Sequence, residues 1–434
     1  MSLSSPFIVI ISLISSAFVG WLSTRLPIPL VLLGFSIVGF LLIIKVRYLW
    51  LIIFSVGIHF DDLFIPLGPI KVGYGDVALI LLLGYWGLWR FNRETPLHLP
   101  NKWPLILLYA VGTGLSWLQG PTPELITGLF IRNCAYVVGF FVLVDLLREE
   151  KQINIFIYVT LGSVALHILI GFYLDTGNRF GGLVDQPNVF GGLIGPGALI
   201  AILFATSQRF NMVLNGLFWC LSVLIVFGLV LTVSRGAQIA FIVALLWAFR
   251  RRWHLILIGL LVAGMIFQLV ITIDPDRFNY FFRRWQLQDG SVLDRQTILL
   301  NTLRVIYEYP IFGMGFAQFT MLEDIMKIDS VHGRASHNHY LGEIATVGIP
   351  TITMLFGFIF YHARQLFKLD RIVEHNARLN ILILQCLFIF QSVTLIFRGG
   401  RRMIEWTFLA VYTATVIIYH KKYQNSVLSA KTHP

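Results

Sequence analysis

Charge is scarce in this chain: only 13% of its 434 residues are Asp, Glu, Lys or Arg, about half the share of a soluble domain. That scarcity excludes a solvated globular surface, because 57% hydrophobic residues and a mean hydropathy of +0.77 leave far more apolar surface than one soluble core could hide. Cysteine is scarcer still. Cys134, Cys220 and Cys386 sit far apart within apolar stretches, which gives neither a disulfide framework nor a metal-type spacing. The chain holds no Walker loop and no Gly-x-Ser-x-Gly elbow, and Gly313-Met314-Gly315-Phe316 lacks the third glycine of a dinucleotide fingerprint. No internal repeat is evident. No Lys or Arg precedes Arg25 and no small-residue cleavage site follows the first apolar stretch, so that stretch reads as an uncleaved helix.

Long apolar runs fill the space that charge leaves. Crossing about 30 Å of hydrocarbon takes roughly 20 helical residues. Candidate spans fall at 4–23, 29–45, 48–60, 73–90, 103–118, 124–146, 155–174, 189–206, 213–233, 237–249, 255–273, 340–361, 381–397 and 407–420. They must be helical, because an isolated strand leaves backbone groups unsatisfied in lipid. The expected fold is an all-α polytopic transmembrane helical bundle of 12–14 helices, one multi-pass domain over 1–434, with a large extracytoplasmic loop at 274–336.

Basic residues orient the bundle. Lys45, Arg47, Arg90, Arg93, Lys102, Arg148, Lys151, Arg209, Arg250 to Arg252, Arg364, Lys368, Arg371, Arg378, Lys421 and Lys422 fall on one side, expected to be cytoplasmic together with both termini. The other side is unusually basic as well. Arg179, Arg235, Arg277, Arg283, Arg284, Arg295, Arg304, Lys327, Arg334, Arg398, Arg401 and Arg402 lie there or at its edge. Cations are disfavoured in short translocated loops, so their retention points to an anionic partner, either lipid phosphate or substrate.

The outer loop has structure of its own. Residues 294–309 place Leu299, Leu303 and Ile306 on one helical face and Pro310 ends the run, as in an amphipathic helix at a membrane surface. Gly313 and Gly315 then permit a tight turn before Phe316. Four outward constellations carry chemistry: Asn178-Arg179-Phe180-Gly181-Gly182 with Gln186-Pro187-Asn188; Ser234-Arg235-Gly236 between two apolar spans; Asp294-Arg295; and Ser336-His337-Asn338 at the mouth of the next span. A guanidinium held in so short a turn as 234–236 can meet a diphosphate bidentately, or can serve a helix end or a lipid headgroup. An ionisable imidazole at a membrane boundary is a functional-site hypothesis by default.

In order and spacing, these motifs, with Pro310-Ile311-Phe312-Gly313-Met314-Gly315 and with Gly348 after His337-Asn338, resemble the O-antigen ligase and polymerase superfamily over residues 170–400. Thr351 stands where that family often has a second glycine, preceded here by Pro350. The resemblance implies a membrane glycosyltransferase that moves a glycan from a polyprenyl (undecaprenyl) diphosphate carrier to a sugar hydroxyl. Acceptors of that kind are a glycan or a lipid-linked saccharide. It implies a bacterial inner membrane with the site on the periplasmic face, inversion at the anomeric carbon, and no cofactor, metal or nucleic acid.

The residue chemistry fits that expectation. A departing diphosphate concentrates negative charge that fixed guanidiniums can stabilise, the role expected of Arg235, Arg179 and Arg295. A sugar hydroxyl needs a base poised near neutral pH, and the imidazole of His337 has an unperturbed pKa of about 6.5. Asn338 would orient the imidazole or a hydroxyl, and Ser234 would support Arg235. Other readings stand beside these. His332, His337, His339 and Glu343 could hold zinc, although their spacing fits no standard set, or His337 could simply belong to a helix cap with Ser336 and Asn338. A basic vestibule could admit small anions or a polysaccharide in a transporter, against which few acidic or basic residues lie at mid-span apart from Arg132 and Asp76 and no inverted repeat of the transporter kind is seen. A non-catalytic export scaffold would leave His337 without a role.

Overall fold

The computed structural model describes residues 46, 48–61, 64–67, 70–91, 96–174, 180–184, 186–207, 209–254, 291–317, 338–397 and 402–432, with isolated residues between 257 and 282. The expected spans at 4–23 and 29–45, and most of 255–273, lie outside these residues. Among those described, the architecture is a helical bundle carrying one short hairpin.

In chain order the helices are α1 (Leu49–His59), α2 (Tyr74–Phe91), α3 (Trp103–Gln119), α4 (Pro123–Leu146), α5 (Glu150–Leu174), α6 (Pro187–Ala205), α7 (Met212–Leu231) and α8 (Arg235–Ala248). They continue with α9 (Ser291–Glu308), α10 (His339–Val347), α11 (Ile349–Lys368), α12 (His375–Phe397) and α13 (Arg402–Thr432). Between α1 and α2, β1 (Phe64–Leu67) pairs antiparallel with β2 (Ile70–Gly73). The sequence reading missed this hairpin, whose strands are too short to show a pattern.

Six of the described helices are long and apolar enough to cross a membrane, within α4 to α7, α12 and α13. α5 and α6 form the centre, each 83% buried across its apolar window, whereas α7 is only 28% buried and turns Met212, Val213, Leu217 and Val223 outward. Apolar side chains left outside the protein are what a lipid-facing helix presents. Small residues bring the central helices together: a Cβ on Gly195 would lie 2.1 Å from Phe390 of α12, and one on Gly197 2.4 Å from Val164 of α5.

Ion pairs gather the residues assigned to the cytoplasmic side at one end of the bundle. The buried Asp145 carboxylate of α4 accepts hydrogen bonds from Arg90, from Arg148 at 2.7 Å, from Trp86 at 2.8 Å and from the backbone of His98 at 2.9 Å. Arg250 pairs with Asp370 at 3.2 Å, and Lys422 reaches Glu150 and Glu374. Arg132, within α4, forms an ion pair with Asp76, which lies in the first turn of α2 rather than at mid-span.

The expected span 340–361 is two helices instead of one. Gly348 stands between α10 and α11 with φ 83° and ψ 162°, a region open essentially to glycine. Pro350, which has no N–H to donate, sits in the first turn of α11. The segment that follows α9 docks on this break. Met314 N donates to Ala345 O at 2.9 Å, Gly315 N to Thr346 O at 3.2 Å, and Ile349 N to Pro310 O at 2.8 Å. Ser116 of α3 donates to the same Thr346 carbonyl at 2.6 Å, and buried Phe316 meets Phe130 of α4 edge-on. Residues 310–316 thus latch the segment after α9 onto the bundle. Thr351 packs against Gly112 of α3, where a Cβ would come within 2.3 Å of its hydroxyl.

The loop helix α9 spans the expected segment, but the face it buries is Ile298, Thr302 and Val305, toward α10. Leu299 and Leu303, from the stripe read in the sequence, remain exposed.

Candidate functional site

Arg235 opens α8 immediately after a turn of only three residues from the end of α7. That turn is strained: Val233 is buried with φ 50°, a conformation rare for a β-branched residue and characteristic of functional sites. It is also held from several sides. The Ser234 N–H donates to the Thr232 hydroxyl at 3.2 Å, and the Gln238 side chain reaches back to the Val230 carbonyl at 3.2 Å. Gly236 lies so close to α12 that a Cβ there would stand 2.4 Å from Phe397. Ser234 is buried and Arg235 half-buried, so the guanidinium is carried by a rigid, tightly packed element.

Arg179 lies outside the described residues, yet its neighbour does not. Phe180 is fully buried, stacks on Phe172 and donates its backbone N–H to the Leu231 carbonyl at 3.1 Å. The Arg179 motif is therefore anchored, one residue along, to the turn that bears Arg235. Arg295 falls on the backbone of α9, its side chain outside the described set, as is His337. Asn338 is described. Its side-chain oxygen accepts from Leu341 N at 3.1 Å and caps α10.

Both the 234–236 turn and α10 contact α12. Tyr340 of α10 donates its hydroxyl to the Ser392 carbonyl at 2.9 Å. Ser392 precedes Phe397, the contact of Gly236, by five residues, about 8 Å along a helix.

Beside this point the structure adds Glu405 to the His339 and Glu343 pair that the sequence groups. His339 stands between two carboxylates, with Nδ1 3.9 Å from Glu343 and Nε2 3.5 Å from Glu405 of α13. Glu405 is remote in sequence, which hid the pairing. No group of three or more His, Cys, Asp or Glu placed to hold a metal ion occurs among the described residues, and His332 and His337 of the zinc reading lie outside them.

Residues 220–356 match the family model described as O-antigen ligase. The match covers about a third of the chain, from within α7 through Arg235, α9 and α10 into α11. No curated protein matches the chain. The apolar bundle is that of a multi-pass membrane protein, and its residues 220–356 are similar to the O-antigen ligase family model.

Proposed function

We propose that the protein transfers a glycan from a polyprenyl diphosphate carrier to a sugar hydroxyl at the outer, periplasmic face of a bacterial inner membrane. The observation that carries this reading is the rigid placement of Arg235. Arg235 starts a helix directly after a strained turn; Phe180, next to Arg179, bonds to Leu231 at one side of that turn, and Gly236 packs on Phe397 of α12, the helix whose Ser392 carbonyl accepts from Tyr340.

In this reading Arg235, Arg179 and Arg295 bind the diphosphate, and His337 lies against the acceptor. The acceptor oxygen forms its bond to the anomeric carbon from the face opposite the diphosphate, and the bond from that carbon to the carrier oxygen breaks. The electron pair leaves with the carrier diphosphate, whose charge the guanidiniums stabilise without a metal ion. The acceptor proton passes to the His337 imidazole and is later lost to water, with inversion at carbon. Asn338, by capping α10, fixes the helix start beside His337, and Ser234 packs beneath Arg235.

Incubating purified protein with a polyprenyl-diphosphate glycan and saccharide acceptors tests the assignment. His337→Ala should lose transfer by about two to four orders of magnitude, the usual contribution of a general base, while keeping its thermal unfolding profile. Unchanged transfer rejects the base. The transporter reading gains nothing from Arg132, whose charge is matched by Asp76.

A further inference from the structure

Cations gather where α8 and α11 end, at the end of the bundle assigned to the cytoplasm. Arg250 stacks on Trp247, its Cζ 4.0 Å from the ring centre, and reaches Asp370 at 3.2 Å. That ion pair ties the Arg250-Arg251-Arg252 turn to the turn Leu369–Arg371, which follows α11. The corner is stiff. Trp247 meets Phe367 of α11 edge-on and donates to the Gln385 side chain of α12 at 3.2 Å, and Gln385 donates in turn to the Leu366 carbonyl at 3.2 Å. Around it Arg251, Arg252, Arg364, Lys368 and Arg371 are exposed.

The side of the membrane accounts for the sign of these charges but not for their lack of partners. Elsewhere at the same end carboxylates match the cations: Arg90 and Arg148 share Asp145, and Lys422 has Glu150 and Glu374. Here Asp370 is taken by Arg250, and among the described residues no carboxylate pairs with Arg251, Arg252, Arg364, Lys368 or Arg371. The C-termini of α8 and α11 each supply about half a negative charge, which leaves a local excess of about four positive charges. Such an excess repels itself and calls for an anion from outside the chain. Apolar surface beside it says what kind. Trp253 is 68% exposed next to the arginine turn, and Phe360, one turn before Arg364 on the same face of α11, is 70% exposed. Exposed aromatic rings next to cations belong to the level of lipid headgroups, whereas a soluble anion gains nothing from them.

We propose that this corner binds an anionic phospholipid. Arg251, Arg252, Lys368 and Arg371 receive its phosphate diester, and its acyl chains run along α11 past Arg364 and Phe360. Basic clusters between helix ends hold anionic headgroups in this way, through charge that several side chains share. The site lies at the opposite end of the bundle from Arg235, so it stands whether or not the glycan-transfer reading does.

Native mass spectrometry of the full chain, released from detergent, tests this with phosphatidylglycerol and phosphatidylcholine of matched chains. Phosphatidylglycerol should be retained and phosphatidylcholine lost. Arg251→Gln with Lys368→Gln should weaken that retention about tenfold or more, since each basic residue beside an anionic headgroup contributes about fivefold. Lys151→Gln with Lys421→Gln removes the same charge from exposed positions at the same end and should leave it unchanged. Arg251→Lys with Lys368→Arg, which keeps the charge, should bind as the unmodified chain does. An equal loss in the Lys151 and Lys421 pair would mean that net charge alone attracts lipid, and equal retention of phosphatidylcholine an unspecific contact. Glycerol phosphate binding as tightly as the lipid would mean a soluble-anion site. Each of these three results overturns the proposal. Should the double variant misfold, phosphatidylglycerol with a photoreactive headgroup decides on the unmodified chain: crosslinks belong within 249–254 and 364–372, and labelling confined to other peptides refutes the site.

Discussion

Replacing Gly348 by alanine should unlatch segment 310–315 while leaving the bundle intact. The backbone there (φ 83°, ψ 162°) costs a residue with a side chain on the order of 1–3 kcal/mol. A Cβ would also lie 2.0 Å from the Ile311 carbonyl oxygen, 2.4 Å from its carbon and 2.8 Å from Phe312 N. These are main-chain atoms that cannot swing aside. Relief requires segment 310–315 to lift away, which forfeits the three backbone hydrogen bonds that join it to Ala345, Thr346 and Ile349, each contributing about 0.5–1.5 kcal/mol. The sum is on the order of 3–7 kcal/mol, enough to open the latch locally against a global stability of about 5–15 kcal/mol. Hydrogen exchange of the purified protein reads it directly: protection of the Met314 and Gly315 amides should fall at least about a hundredfold, with transfer falling as the start of α10 loosens. Gly87→Ala is the control, since nothing lies within 4 Å of its new methyl. If Gly348→Ala keeps the protection seen in Gly87→Ala, the latch argument is wrong.

Other outcomes follow from the same geometry. Asn338→Ala should lower stability by about 0.5–2 kcal/mol through loss of the α10 cap, and Asn338→Asp should largely restore it, as thermal unfolding in detergent would show. Asp145→Ala leaves Arg90 and Arg148 without their shared carboxylate, and a loss of about 3–5 kcal/mol is expected for breaking so buried a pair, measurable as a drop in unfolding temperature with the outer latch still protected. Burial, with Arg148 and Lys421 nearby, holds the His98 imidazole below its ordinary value. Below about pH 6.5 the unfolded chain then binds a proton that the folded loop resists. Stability should fall as pH drops from 7.5 to 5.5, and His98→Gln should flatten that dependence.

Much of the bundle could be read from hydropathy, because a span announces itself by length and composition alone. The expected spans at 103–118, 189–206 and 213–233 lie within two residues of α3, α6 and α7 at each end. The loop helix was legible from its period and from Pro310. The break at Gly348 was not, because apolar composition continues through it and only the backbone angles separate α10 from α11. The protein-facing side of α9 was not legible: Leu299 and Leu303 of the apolar stripe stay exposed, while the packed face uses Ile298, Thr302 and Val305. At the candidate site, Ser234-Arg235-Gly236 stood out through its short turn, but the strain at Val233 is invisible in a sequence. The pairing of His339 with Glu405 depends on α13 returning beside α10, a tertiary fact no local pattern encodes. Asp145 was hidden inside an otherwise apolar span, and its role appeared only with its four donors.

The central claim is that fixed guanidiniums at the outer face neutralise a departing lipid diphosphate. Single-turnover transfer from a polyprenyl-diphosphate glycan, in the presence of chelator, compares the unmodified protein with Arg235→Ala and Arg235→Lys. The account predicts transfer without added metal, a loss of about a hundredfold or more for alanine, and partial activity for lysine, which keeps the charge but not the planar fork. Full activity of correctly folded Arg235→Ala, or a strict demand for divalent metal, would contradict it.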